Sequence, residues 1–141
     1  MERYKSYQAI EYFFETTPPI IKMAKVEVGA RVGLLKRTKC KKTLEQYEKA
    51  KENLSIPYGI LKSMLDKSDA DYTRLGVQLY EIFFEFLDLR IDSLSRFIQG
   101  ESVDYQEVEN KSQSILIRTS CKVDAIQPLH SLYYALIQRQ N

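Results

Sequence analysis

The sequence predicts an all-α fold, a single-domain bundle of five to seven helices wrapped around one long central helix at about residues 70–99. Three observations carry that expectation. Glycine (5) and proline (4) are too scarce for a turn-rich β architecture. Apolar residues recur at three- and four-residue steps along most of the chain, the spacing of one helical face. No segment reads as a strand with a second strand to take its backbone hydrogen bonds. At 141 residues the chain has the size of one domain, large enough to bury a core without help from a metal or a disulfide.

Tyr4, Tyr7, Ile10 and Phe14 mark a first amphipathic helix over residues 3–16. "TTPP" is expected to stop it, because proline forces the residue before it out of the helical region, and Thr17 then caps the next element. Residues 20–36 carry two patterns at once. Ile21, Ala24, Val28, Val32 and Leu35 form a helical stripe, whereas Val26, Val28, Ala30, Val32 and Leu34 alternate as in a strand. Helix is preferred, since a lone strand in a helical chain leaves its backbone unpaired. A basic inter-helix turn is expected over 36–43. "TLEQ" at 43–46 matches a capping box for a helix to about Leu54, and a short helix with Ile60, Leu61, Met64 and Leu65 follows "SIPYG".

The 70–99 helix carries apolar residues around most of its circumference, including Tyr72, Leu79, Phe83, Phe86, Leu87 and Leu94, and ends at Gly100. Only burial on several sides uses that much apolar surface, so part of it, around Phe84 and Ile91, is expected to meet another chain in a homo-oligomer. Asp104 and Glu107 stand as cap and third residue of a helix reaching about Cys121. Asp124 opens the last helix, with Pro128 in its first turns.

The formal net charge is only +2, yet it is concentrated in one place. Residues 18–42 hold Lys22, Lys25, Arg31, Lys36, Arg37, Lys39, Lys41 and Lys42 against a single acid, Glu27. Like charges packed this densely repel one another, and they create a local positive potential that attracts polyanions. The expected function is therefore a non-enzymatic binding protein in which these eight residues engage nucleic acid or an acidic surface of a nucleic-acid-handling machine. Lysines outnumber arginines in "KRTKCKK", which favours attraction to phosphates over bidentate reading of bases. A membrane partner is not expected, because a polybasic cluster needs a lipid anchor or an insertion face to hold a bilayer. Tyr47, Tyr58 and Tyr105 are the aromatics least committed to an inward stripe and could offer stacking faces.

Other chemistries leave weaker traces. Glu81, Glu85, Asp88 and Asp92 share one narrow helical face, an arrangement of carboxylates able to hold a metal ion. "EQYE" at 45–48 and "EFLD" at 85–88 resemble the paired ExxE and ExxD segments of the all-α nucleotide pyrophosphatases of the MazG family, a resemblance covering eight residues. It implies the alternative function, metal-dependent nucleotide hydrolysis on that acidic stripe. Arg90 projects onto the apolar side of its helix, where it must run along the apolar surface or pair with a buried carboxylate. The sole histidine, His130, lacks the arginine four to six residues upstream that the helical nucleases of the HEPN family place there; that window holds Asp124 and Ala125.

Neither a GxGxxG loop nor a P-loop is present, and no cofactor or resident metal is expected. Cys40 and Cys121 are too few for a zinc cage and are expected as thiols; the cations around Cys40 favour its thiolate. A disulfide between them is best motivated in a hyperthermophile. No apolar run reaches the ~18 residues that span a bilayer, and the N-terminal segment has acids within its apolar stretch, so a cytoplasmic location is expected. In size, charge and helix content the chain is similar to virus coat proteins, small subunits of RNA-guided effector complexes and polymerase inhibitors of mobile elements. That similarity is one of outline and implies no particular member among them.

Overall fold

A computed structural model describes residues 2–31, 36–67 and 70–140. These residues form four α-helices and no strand: α1 (Glu2–Ala30), α2 (Lys36–Leu65), α3 (Asp71–Ile98) and α4 (Tyr105–Gln140). Each helix packs against the next in sequence, α4 returns to α1, and α1 also touches α3 across the bundle. Paired contacts show that consecutive helices run antiparallel: Ser6 with Met64 and Glu27 with Tyr47, Lys51 with Asp88 and Lys62 with Glu81, Arg90 with Glu109 and Tyr72 with His130.

The helix count is four rather than five to seven because three expected breaks are not breaks. α1 runs through Pro18 and Pro19, α2 through Pro57 and α4 through Asp124 and Pro128. A proline inside a helix removes one ladder donor, and at two of these sites a nearby hydroxyl ties the chain to the previous turn. Thr17 Oγ1 donates to the Phe13 carbonyl at 2.9 Å, and Ser55 Oγ donates to the Lys51 carbonyl at 2.7 Å. Burial does the rest. Ile10, Phe13, Thr17, Ile20, Ala24 and Glu27 form one buried stripe through the proline pair, and it can stay in register only if the helix continues.

Two further local expectations are corrected. Thr43 is not an N-cap: α2 has already begun at Lys36, and the Thr43 hydroxyl donates back to the Lys39 carbonyl at 3.0 Å. For the same reason Lys36–Thr43 is no turn but the opening turns of α2. Residues 25–30, where strand and helix patterns competed, are helical, while 32–35 lie outside the described residues.

The remaining boundaries follow the sequence. α3 spans Asp71–Ile98, about 42 Å at 1.5 Å per residue, with Tyr72, Leu79, Tyr80, Phe83, Leu87 and Leu94 buried against the other three helices. Gly100 takes a φ of +86°, the left-handed conformation that ends a helix and that side chains resist. Asp104 Oδ1 then accepts the backbone N–H of Glu107 at 3.2 Å, the N-cap bond of α4. Phe84 and Ile91, expected to meet another chain, are half-buried against this core, with Phe84 edge-on to Tyr58 at a centroid distance of 5.3 Å. Among the described residues no helix is long and apolar enough to cross a membrane.

Candidate functional site

The basic residues gather at one end of the bundle, where α1 finishes and α2 begins. Lys22 and Lys25 project into solvent from α1, and Arg37, Lys39, Lys41 and Lys42 from the first two turns of α2. Only the backbone of Lys36 is described; it opens α2. Cys40 points the other way and is fully buried, so the thiolate environment expected for it is not an accessible one. Cys121 is exposed on α4, and no disulfide joins the two.

The helix dipoles do not account for this placement. The last turn of α1 holds no basic residue, and the first turn of α2 holds no acid. Cations at a helix N-terminus stand at its positive pole, a cost of about 0.3–1 kcal/mol for each one in the first turn. Intramolecular partners do not relieve it either. Among the described residues none of the six exposed cations has an ion pair; elsewhere on the surface Lys51, Lys62, Arg74, Arg96, Lys111 and Arg118 are paired, while Arg3, Lys5, Lys49, Lys67 and Arg139 are unpaired but scattered rather than clustered.

Arg31 behaves differently from the rest of its cluster. Its side chain is 10% exposed and turned inward, 3.3 Å from Glu27 and 3.3 Å from Glu109, with its guanidinium 3.4 Å above the Tyr105 ring. It belongs to a charge network that joins all four helices. The Arg90 guanidinium lies 3.1 Å from Glu27 Oε1 on α1 and 2.8 Å from Glu109 Oε1 on α4, and it donates to Ser112 Oγ at 3.2 Å and to the Ala24 carbonyl at 3.3 Å. Tyr47 on α2 donates to Glu27 at 2.8 Å. Burial works against the Arg90 charge, but Glu27, Tyr47 and Glu109 outweigh it and hold the guanidinium above its ordinary pKa. Burial first, and then Glu27, push the Tyr47 hydroxyl up as well. Glu27, the one acid in the basic segment, is thus its internal anchor. Its place on the stripe of Ile20 and Ala24 was the signal that it faces inward.

The acidic stripe of α3 meets cations rather than presenting an open carboxylate cluster. Glu81 accepts from Tyr58 at 2.7 Å and lies 3.7 Å from Lys62, and Asp88 pairs with Lys51; all three partners are on α2. Glu85 takes both guanidinium nitrogens of Arg118 on α4 at 3.0 Å, and Asp92 lies 3.8 Å from Arg96 on its own helix. Among the described residues no three metal-ligating side chains converge. The tyrosines offered as stacking faces are also occupied: Tyr47 is buried, Tyr58 holds Glu81 and Tyr105 lies under Arg31.

His130 lies at the opposite end of the bundle, between Tyr72 at 2.7 Å from Nδ1 and Glu11 at 2.7 Å from Nε2, with Tyr7 stacked on the ring at 4.5 Å. Aromatic packing and two hydrogen bonds fill its coordination, as for a satisfied core histidine.

One feature of the surface is absent from the expectations above. Between α1 and α2 runs a groove of about 540 Å³, lined by Lys5, Tyr12, Asn53, Ile56, Pro57 and Ile60 among others. Ile56 is 67% and Ile60 43% exposed. The inward seam of α2 is Cys40, Tyr47, Leu54 and Leu61, at seven-residue steps, and Ile56 and Ile60 fall outside it. Comparison of the chain with protein-family models, curated proteins and solved structures finds no match.

Proposed function

We propose that the protein is a non-enzymatic binding protein that engages a polyanionic partner, nucleic acid or an acidic surface of the machinery that handles it. The binding residues are Lys22, Lys25, Arg37, Lys39, Lys41 and Lys42, with Lys36 in the same cluster. Arg31 is assigned to the scaffold that carries them. The observation that supports this reading is the uncompensated charge. Six exposed cations gather about one helix junction, some at the unfavourable pole of a helix, and none of them forms an ion pair among the described residues. An external polyanion would relieve that repulsion, and release of its counterions would drive the association.

The test is a salt titration against a fluorescent single-stranded oligonucleotide and against heparin. Affinity should fall log-linearly with salt, with a slope of about −0.7 per phosphate contact on a single strand, and vary little with base sequence. Replacing Lys36, Arg37, Lys39, Lys41 and Lys42 by Gln should abolish most binding, flatten that slope and leave the melting temperature nearly unchanged. A Gln variant that binds both probes as tightly as the parent would sink the proposal.

A further inference from the structure

The α1–α2 groove and part of the basic cluster lie on one face, and together they describe a partner. Asn53, Ile56 and Ile60 line the groove from α2. Continuing that row toward the start of α2 at helical spacing reaches Lys49, Gln46, Lys42 and Lys39, all exposed. From α1 the groove is lined by Lys5, Gln8, Ala9 and Tyr12, and the same row continues to Pro19 and Val26, also exposed, Val26 at 66%. The helices are antiparallel, with Ser6 beside Met64 and Glu27 beside Tyr47, so Val26 comes to lie level with the Lys42 to Lys49 stretch of that row. The acids of this part of α2, Glu45, Glu48 and Glu52, project from the neighbouring outward row. The α2 side of this valley is a row about 32 Å long, counted from residue 39 to residue 60 at 1.5 Å per residue, with the groove itself at its Asn53, Ile56 and Ile60 end. One half is apolar, formed by Tyr12, Ile56, Pro57 and Ile60, and the other half is edged by Lys39, Lys42 and Lys49.

We infer that this valley is a docking site for an amphipathic helix of a partner protein, about 20 residues long, apolar over one half of its contact face and acidic over the other. The inference rests on the polyanion reading and narrows it. Phosphates answer the lysine half but leave Ile56 and Ile60 in water, whereas an acidic helix with aliphatic side chains satisfies both halves. Charge complementarity selects carboxylates for the lysine row, and apolar anchors at i, i+3, i+4 and i+7 are the usual means by which a helix fills such a groove. Two aliphatic side chains so exposed on adjacent turns are otherwise a solubility cost without a return.

Three probes separate this inference from the reading it rests on. The first is a labelled 20-residue peptide with leucines at helical spacing in one half and glutamates in the other, made in both chain directions. The second is a polyglutamate peptide of equal charge, and the third a single-stranded oligonucleotide. One of the two leucine peptides should bind roughly tenfold or more tighter than polyglutamate, the gain expected from burying an aliphatic side chain or two. In the Ile56→Gln/Ile60→Gln variant that advantage should vanish while oligonucleotide affinity stays unchanged; both side chains are exposed, so folding is not at stake. Lys39→Gln/Lys42→Gln should weaken all three probes. The docking inference is overturned if neither leucine peptide exceeds polyglutamate, or if its advantage survives the isoleucine substitutions. If instead no probe shows salt-dependent binding, the polyanion reading itself has failed.

Discussion

Nη2 of Arg90 on α3 lies 3.1 Å from Oε1 of Glu27 on α1, and neither side chain reaches solvent. Removing two opposite charges from water is costly, and the cost is recovered only where geometry is good and the remaining valences are used. Here they largely are. Ala24, Tyr47, Glu109 and Ser112 take up most of the other hydrogen-bonding positions, leaving Arg90 Nε and Glu27 Oε2 without a hydrogen bond, so one ion pair draws on all four helices just beneath the basic surface.

Breaking that pair from one side should therefore be severe. Arg90→Met leaves Glu27 buried with only Arg31 and Tyr47, and Glu27→Gln leaves Arg90 with Glu109; each should lower unfolding free energy by about 3 kcal/mol in urea denaturation. The double variant should cost much less than the sum, because the second change removes the charge that the first left unpaired. Additivity of the two within about 0.5 kcal/mol would show that the residues do not act as a unit.

Arg31 and Arg37 belong to the same basic segment but should part company on substitution. Arg31→Gln withdraws a cation from Glu27 and Glu109 and a planar group from the Tyr105 ring, with an expected loss of about 1–3 kcal/mol. Arg37→Gln changes the net charge equally and should stay within about 0.5 kcal/mol, since the side chain is exposed and unpaired among the described residues. In the oligonucleotide assay the order should reverse, with Arg37→Gln the more damaging at matched folded fraction.

At Gly76, α3 packs closely against Ile10 of α1 and Leu61 of α2. A Cβ built there would fall 2.8 Å from Ile10 Cδ1 and 3.2 Å from Leu61 Cδ1. Gly76→Ala should destabilise by about 1–3 kcal/mol through overpacking, outweighing the helix-propensity gain of alanine. Shortening the obstructing side chain tests the cause: Ile10→Ala removes both crowding atoms, Cδ1 and Cγ1, and should be less harmful in the Gly76→Ala background than alone.

What could be read from the sequence was what depends on neighbours within a few turns. The extent of α3, the Gly100 stop and the Asp104 cap belong to this class, as does the place of Arg90 on an apolar face; that it pairs with a buried carboxylate, one of the two outcomes open to it, is decided by Glu27 on a distant helix. The helix count failed where local and tertiary signals disagree. Pro18 and Pro19 are strong local stops, and only the buried stripe from Ile10 to Glu27 overrides them. The inward turn of Arg31 depends on Glu109, 78 residues away. The α1–α2 groove exists only once two helices are side by side, so neither Ile56 nor Tyr12 announces it alone.

Alkaline pH should destabilise the protein through its buried tyrosines. Burial pushes Tyr72 and Tyr80 well above the ordinary tyrosine value and, with Glu27, Tyr47 too. The hydrogen bond to Glu81 pushes Tyr58 up to about 12. Folded values above unfolded ones mean that the tyrosine contribution to stability is fully present below the unfolded pKa of about 10. It is lost as pH rises through the folded values, because only the unfolded chain can ionise. Melting temperature should be insensitive to these groups up to about pH 9.5 and then decline. Phenolate absorbance should lag behind that of the denatured chain, and Tyr47→Phe should shallow the decline. Phenolate absorbance that appears with the fold intact and is lost in Tyr72→Phe or Tyr80→Phe would contradict the buried placement of those two side chains.

The acidic stripe gives the last test, because it separates a binding protein from a metal-dependent hydrolase. Glu81, Glu85 and Asp88 are each within reach of a cation on α2 or α4, so a divalent ion would have to displace Lys62, Arg118 or Lys51 from exposed pairs to reach them. Displacing weak, solvent-screened pairs is not costly in itself. What is lacking among the described residues is convergence: no three ligating side chains face one point, and hard divalent cations take six or more oxygens of which the protein supplies several. Millimolar Mg²⁺ or Mn²⁺ should therefore leave the melting temperature unchanged, as should the same ions added to Glu85→Ala, which loses only the Arg118 pair. Stabilisation that saturates with metal and disappears in Glu85→Ala would mean that the ion binds the native state at this stripe, since a ligand stabilises a fold only through its preference for it. In that event nucleoside triphosphates should be assayed for hydrolysis, and the lysines of α2 would become a means of holding their phosphates rather than a partner's carboxylates.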